Sequence, residues 1–215
     1  MTSCHCGAGA CYDAKFDDRR AKADLQHYHK KGPNRSTHLL LEALGAQGVE
    51  GASLLDIGGG VGVVQHELLG AGAARATQVD ASRPYLTVAE GEAARRGNAD
   101  RATFALGDFV DVAPTVDDAD LVTLDRVICC YGDMESLVAA SARKARRLYG
   151  IVVPRDRWWV RAVEQLGNLM RRLRHDPFRS FVHPVDAIDA AVRRQGFVPV
   201  SSARTLVWQI LVYAR

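Results

Sequence analysis

No stretch of eighteen or more apolar residues occurs in the chain, so nothing in it reads as a membrane-spanning helix. Charge of either sign is barely in excess, with 28 Lys and Arg against 25 Asp and Glu and a net charge of +3. That is too mild for the basic footprint of a protein that lives on nucleic acid. Cysteine is scarce and odd in number, five in all, with three in the first eleven residues and two adjacent at Cys129 and Cys130. Such a set suits reduced thiols better than a disulfide frame. The opening MTSCHCGAGACYDAK has neither a positive leader nor an apolar h-region, and the expected location is cytoplasmic. Internal repeats and long linkers are absent as well. Hydrophobic residues at 47% and charged residues at 25% sit on the averages for globular proteins, which excludes disordered, collagen-like and disulfide-scaffold classes. At about 150 residues per domain, 215 residues amount to one main core with modest additions.

The order of patterns along the chain divides it into three parts. Residues 1–12 are small, Gly-rich and Cys-rich and read as a flexible arm; residues 13–50 read as an N-terminal helical cover, and residues 51–215 as the main domain. Within the cover, a charged helical pattern runs over 13–28, KKGPN at 30–34 breaks it, and a second helix begins near Ser36 with Leu39, Leu40, Leu41 and Leu44 as its apolar face. From residue 53 onward short apolar strands alternate with helices. SLLDI (53–57), ATQVD (76–80), ATFALGD (102–108), DLVTLDRVI (120–128) and LYGIVVP (148–154) are the strands; helices fall between, one of them over 134 to about 147. An amphipathic helix from about 158 to 174, a helix near 184–195 and two closing strand runs follow. The expected fold is α/β: a doubly wound, mostly parallel, Rossmann-like sheet of about seven strands with the helical cover at its N-terminal side.

The most informative segment is Asp56-Ile57-Gly58-Gly59-Gly60-Val61-Gly62, where the first strand passes into the first helix. Glycines there let a ligand approach the main chain. The spacing fails GxGxxG, because the third required glycine falls on Val63 counting from Gly58 and on Gln65 counting from Gly60, so a dinucleotide pyrophosphate is disfavoured. A carboxylate, Asp56, stands where an amino group would be welcome and a phosphate repelled. Asp80, followed by Ala81, ends the second strand 24 residues later, at the place where such folds accept ribose hydroxyls. Asp108 ends the third run beside Phe109, where a carboxylate can accept from an adenine amino group while the ring packs. Asp125 stands within the fourth run, and the three strand ends at Asp56, Asp80 and Asp108 open on one crevice.

In this combination the chain resembles the class I S-adenosylmethionine-dependent methyltransferases over about residues 36–154. The resemblance implies S-adenosylmethionine as cofactor, with Asp56 and the Gly58, Gly59, Gly60 and Gly62 backbone at its methionine part, Asp80 and Ala81 at the ribose, Asp108 and Phe109 at the adenine, and Asp125 nearby. Acceptor specificity should then lie at Arg126, Cys129, Cys130 and Tyr131, beyond the fourth strand. The D/N-P-P-Y/F and Pro-Cys signatures of nucleic-acid methylation are missing there. With Phe178, Phe181, His183 and Asp186 downstream, the segment is similar in fewer residues to the magnesium-protoporphyrin IX methyltransferase branch, which esterifies a porphyrin propionate; two cysteines stand where that branch tends to have a histidine before the tyrosine.

The expected partner is therefore a small-molecule acceptor, anionic or aromatic, with no nucleic acid, no integral membrane segment and no resident metal; a homodimer stays open. His183 and Tyr131 are the candidate catalytic groups for an acceptor that needs a base, and packing is the competing role of each. Tyr28, Lys31 and Arg35 are candidates for reaching the cofactor from the cover. Trp158, Trp159, Leu166, Leu169 and Leu173 form a stripe expected to pack on the core. Cys129 and Cys130 read as small buried hydrophobes. With Cys4, His5, Cys6 and Cys11 they leave two alternatives: thiol-assisted methylation of a metalloid or sulfur compound, or a non-catalytic metal sensor on a methyltransferase fold.

Overall fold

The computed structural model describes residues 15–215. Two helices come first, α1 (Asp18–Lys31) and α2 (Arg35–Gly45). Asp17 caps α1 by accepting from the Arg20 amide at 2.8 Å, and Gly32, at φ 71°, ends it. Asn34 caps α2 through the Ser36 and Thr37 amides at 3.1 and 3.2 Å. The break at KKGPN is thus where the sequence places it, although α1 runs from residue 18 to 31, three residues beyond the expected end, because Gly32 is the first residue to leave the helical region.

The alternating part follows as β1 (Ser53–Ile57), α3 (Val63–Gly70), β2 (Arg75–Asp80), α4 (Arg83–Arg95), β3 (Ala102–Leu106), a single turn α5 (Phe109–Val112), β4 (Ala119–Asp125), α6 (Met134–Lys144) and β5 (Ala145–Pro154). α7 (Trp158–Leu173), α8 (Val185–Arg193), β6 (Val198–Arg204) and β7 (Trp208–Ala214) complete the chain. Seven strands form one sheet in the order β3-β2-β1-β4-β5-β7-β6. β1 to β5 are parallel; β7 inserts antiparallel between β5 and β6 and closes the edge. This is the Rossmann-like, doubly wound fold.

Strand alternation sorts the core into two layers. Leu55, Ile57, Val122, Leu124, Tyr149 and Ile151 pack with Leu137 and Val138 of α6 and Ile188 and Val192 of α8. On the other face Leu54, Leu121, Val152 and Val212 meet Leu40 and Leu44 of α2 and Val64, Leu68 and Leu69 of α3. Gly150 on β5 lets α2 come close, since a Cβ there would lie 2.9 Å from Leu40 Cδ1.

Three further departures from the sequence reading have local causes. β3 stops at Leu106 because Asp108 turns to cap α5, accepting from the Val110 amide at 3.0 Å. β4 stops at Asp125 because Arg126 takes a left-handed φ of 63°, a conformation strands do not continue through. α6 ends at Lys144, three residues early, because Ala145 already pairs with Ala119 in the sheet.

Candidate functional site

At the switch in strand order between β1 and β4 the carboxyl ends of the parallel strands open into a cavity of about 440 Å³, within the range of small-molecule sites. Gly58, Gly60, Asp80, Ala81, Asp108, Phe109, Asp125, Arg126, Cys129, Cys130 and Tyr131 all line it. Eleven of the residues expected from the sequence therefore share one wall system.

The glycine loop is shaped by backbone angles that L residues avoid: φ is 62° at Gly58, 59° at Gly60 and 79° at Gly62. A Cβ at Gly58 would sit 2.6 Å from Val127 Cγ2. Asp80 braces the loop, its Oδ2 accepting from the Gly60 amide at 3.0 Å and its Oδ1 from the Ser82 amide at 2.9 Å. These bonds fix the carboxylate on the cavity wall, where a ribose diol would meet it. Asp108 uses Oδ1 for the Val110 amide and for the Tyr131 hydroxyl, which donates at 3.2 Å; burial pushes its carboxyl above the usual range while those two donors oppose the shift. Phe109 is buried beside it. A glycine loop that admits a ligand to the backbone, a braced carboxylate for a ribose and a carboxylate beside an aromatic ring for an adenine form a donor and acceptor set that S-adenosylmethionine fits.

Several expected residues lie elsewhere. Asp56 is fully buried beneath the loop, accepting from Thr123 Oγ1 at 2.7 Å; it faces Gly59, whose Cβ would meet its Oδ2 at 2.5 Å. It lies on β1, inside the sheet between β2 and β4, and supports the turn instead of lining the cavity, and burial pushes its carboxyl up to about 7. Gly59 and Gly62 likewise lie off the lining, Gly62 at the N-terminus of α3. His183 is not in the wall either: its Nε2 is 2.9 Å from the Tyr131 carbonyl and its ring stacks on Phe181 at 5.7 Å. Tyr28 bonds to Glu67 on the far side of α1, and neither Lys31 nor Arg35 lines the cavity. Cys4, His5, Cys6 and Cys11 lie outside the described residues, among which no cluster of three metal-type ligands occurs.

The structure supplies further walls, among them Phe178, which the sequence had offered. Lys15, Phe16, Arg20 and Asp24 roof the cavity from the start of α1, where the Tyr85 hydroxyl donates to Asp24 at 2.5 Å and the Phe16 and Tyr85 rings meet edge-on at 5.7 Å. From the other side come Glu164 and Arg171 of α7, Phe178, Ser180 and Trp208. Arg171 donates to Asn168 Oδ1 and Ser180 Oγ, both at 2.9 Å, and lies over the Phe178 ring; Arg126 lies 6.0 Å from the Trp208 ring. Asp125 accepts from the Thr37 hydroxyl of α2 and from Arg126 Nε at 3.2 Å, which ties the cover to the end of β4. Cys129 and Cys130 hold their sulfurs 3.9 Å apart. Sharing a hydrogen bond pushes the Cys129 thiol up, with burial adding to it, and draws Cys130 down. Among the described residues no histidine is in the lining.

Comparison with known proteins agrees with this geometry. Residues 55–148 match the model of a methyltransferase domain. Magnesium protoporphyrin IX methyltransferase from Synechocystis PCC 6803, solved with bound S-adenosylhomocysteine, is 19% identical and superposes with a TM-score of 0.72 over 95% of this chain and 96% of that one. An O-methyltransferase family protein from Burkholderia thailandensis, 16% identical, gives 0.72 over 95% of this chain and 62% of that one. A putative methyltransferase solved in complex with a Haloferax volcanii methyltransferase activator, also 16% identical, gives 0.68 over 96% of each. No curated protein matches in sequence. Residues 55–148 match a methyltransferase domain, and the chain has the class I S-adenosylmethionine-dependent methyltransferase fold.

Proposed function

We propose that the acceptor is a small, flat, anionic molecule methylated on a carboxylate oxygen, of the kind a porphyrin propionate represents. One observation carries this reading: the cavity is lined by three guanidinium groups, Arg20, Arg126 and Arg171, among the aromatic rings of Phe16, Tyr131, Phe178 and Trp208, and by no imidazole among the described residues. A carboxylate is ionised at neutral pH and needs no base, whereas phenols and amines call for one. The cofactor supplies an activated methyl group on a sulfonium. The chain's share is then alignment, which by itself is a large rate effect. Asp80 and Asp108 hold the nucleoside, the Gly58 and Gly60 backbone receives the methionine part, and the arginines orient the carboxylate while the rings clamp the acceptor's body. Tyr131 positions Asp108 through its hydroxyl and takes no proton from the acceptor. The likeness to magnesium protoporphyrin IX methyltransferase supports the same substrate class.

The test is turnover on a porphyrin bearing free propionates and on its diester. The free acid should yield a methyl ester and the diester nothing. Methylation of a phenol or an amine, with none of any carboxylate, would end this reading.

A second reading has its own observation, the adjacent thiols 3.9 Å apart in the same wall. They suit a soft metalloid or sulfur acceptor. Alanine at both Cys129 and Cys130 should then abolish turnover with cofactor affinity intact, and retained turnover would remove it.

A further inference from the structure

α7 is an amphipathic helix mounted the wrong way round for a helix that caps a core. Its polar side faces inward: Glu164 and Arg171 line the cavity, and Asn168 bonds to both the carbonyl and the amide of Ser180, at 2.7 and 3.0 Å. Its apolar side, at spacings of three and four, faces out. Trp158 is 81% exposed, Val163 62%, Leu166 60%, Leu169 51% and Leu173 66%, and Met170 is exposed beside them. Leu206, in the turn before β7, adds another exposed apolar side chain next to the start of α7, where its carbonyl accepts from Arg155. A contiguous apolar face of this kind marks a docking surface.

Charge says what docks there. Residues 155–174 hold six arginines against Asp156 and Glu164, a local excess greater than the +3 of the whole chain. Arg161 is paired with Asp156 at 2.5 Å and Arg171 is turned to the cavity, which leaves Arg157, Arg172 and Arg174 exposed along the helix and at its caps. A second copy would set these cations against their own kind. The first fourteen residues offer only Met1 and Tyr12 as large apolar side chains to cover the stripe. An anionic bilayer answers both halves of the pattern, taking the Trp and Leu side chains into the interface and the arginines at its headgroups. We infer that α7 is a membrane-surface helix that docks the protein on anionic lipid, with the mouth of the cavity held beside the bilayer.

Sedimentation of the full chain with vesicles tests this. The protein should pellet with phosphatidylcholine vesicles that contain phosphatidylglycerol, stay in solution with phosphatidylcholine alone, and be released by high salt. Leu166→Ser with Leu169→Ser should cut partitioning by about tenfold or more, and Arg172→Glu should lower it as well. The serine pair, at exposed positions, should keep the melting temperature and the affinity for S-adenosylhomocysteine, so loss of lipid binding is separable from loss of the fold or of the cofactor site. Failure to pellet with the mixed vesicles at low salt overturns the inference. So does unaltered binding by the serine pair, or a dimer in analytical ultracentrifugation that the serine pair dissociates while lipid binding is absent.

Discussion

Replacing Asp80 by alanine removes the one carboxylate that braces the glycine loop and faces the cavity, and it should separate cofactor binding from folding. In the wild type its oxygens accept from the backbone amides of Gly60 and Ser82, and two ribose hydroxyls would donate to the same carboxylate. A hydrogen bond to a charged group contributes about 1.5 to 3 kcal/mol. Asp80 is only half-buried, so the low end applies to each of the two, for a loss of about 3 kcal/mol and a dissociation constant weakened on the order of a hundredfold. Asp80→Asn keeps one acceptor but turns an amide donor toward the Gly60 or Ser82 N–H, and it should fall between, at about tenfold. Calorimetric titration with S-adenosylhomocysteine reads both values without turnover, and thermal melts confirm that the variants are folded. If folded Asp80→Ala binds within about threefold of wild type, Asp80 does not hold the ribose and the assignment of the site is wrong.

Gly58→Ala should destabilise the protein by roughly 2 to 4 kcal/mol in urea unfolding, because φ of 62° and a Cβ 2.6 Å from Val127 Cγ2 add strain and overpacking; Val127→Ala should restore the steric part, and wild-type stability in the single variant would contradict the loop geometry. Two buried groups oppose each other in pH dependence. Asp56, raised from 3.8 to about 7 by burial, binds its proton more tightly in the folded state, so it lowers stability as pH rises from about 4 to 7; His66, lowered from 6.5 to about 4 by burial, raises stability as pH climbs from about 4 to 6.5. Each term is about 3 to 4 kcal/mol, and in the apo protein they nearly cancel over that window. Asp56→Asn should expose the rising His66 limb and be more stable than wild type at pH 8, as read by melts across the range; an unchanged profile would place neither group where burial puts it. Tyr131→Phe should keep turnover within about tenfold and leave the pH–rate profile unshifted, since the hydroxyl it removes holds Asp108 and takes no proton from the acceptor; loss of an alkaline limb would make Tyr131 a base.

What the sequence disclosed and what it hid divide along physical lines. β1, with five consecutive buried residues, and the glycine loop after it are local patterns, and the crevice they lead to follows from the parallel fold. The ends of β3 and β4 depend on single residues, Asp108 as a cap and Arg126 at positive φ, which composition does not announce. The direction of the helices ahead of β1 was not legible: the start of α1, with Phe16, Arg20 and Asp24, reaches the cavity, while Tyr28, Lys31 and Arg35 farther along do not line it. Periodicity found α7 and gave its apolar stripe to the core. The stripe faces outward because the inner side meets a polar strap around Ser180 that only tertiary packing creates. His183 was chosen for its residue type, and its contact with the Tyr131 carbonyl is likewise tertiary.

The most direct test of the central claim is the chemistry of the bond formed. With methyl-labelled S-adenosylmethionine and a propionate-bearing porphyrin, the label should enter the acceptor and leave as volatile methanol on mild alkaline treatment, as a methyl ester requires. Label that enters the acceptor and resists alkali would mean an ether, amine, thioether or carbon acceptor, and the carboxylate account would be wrong.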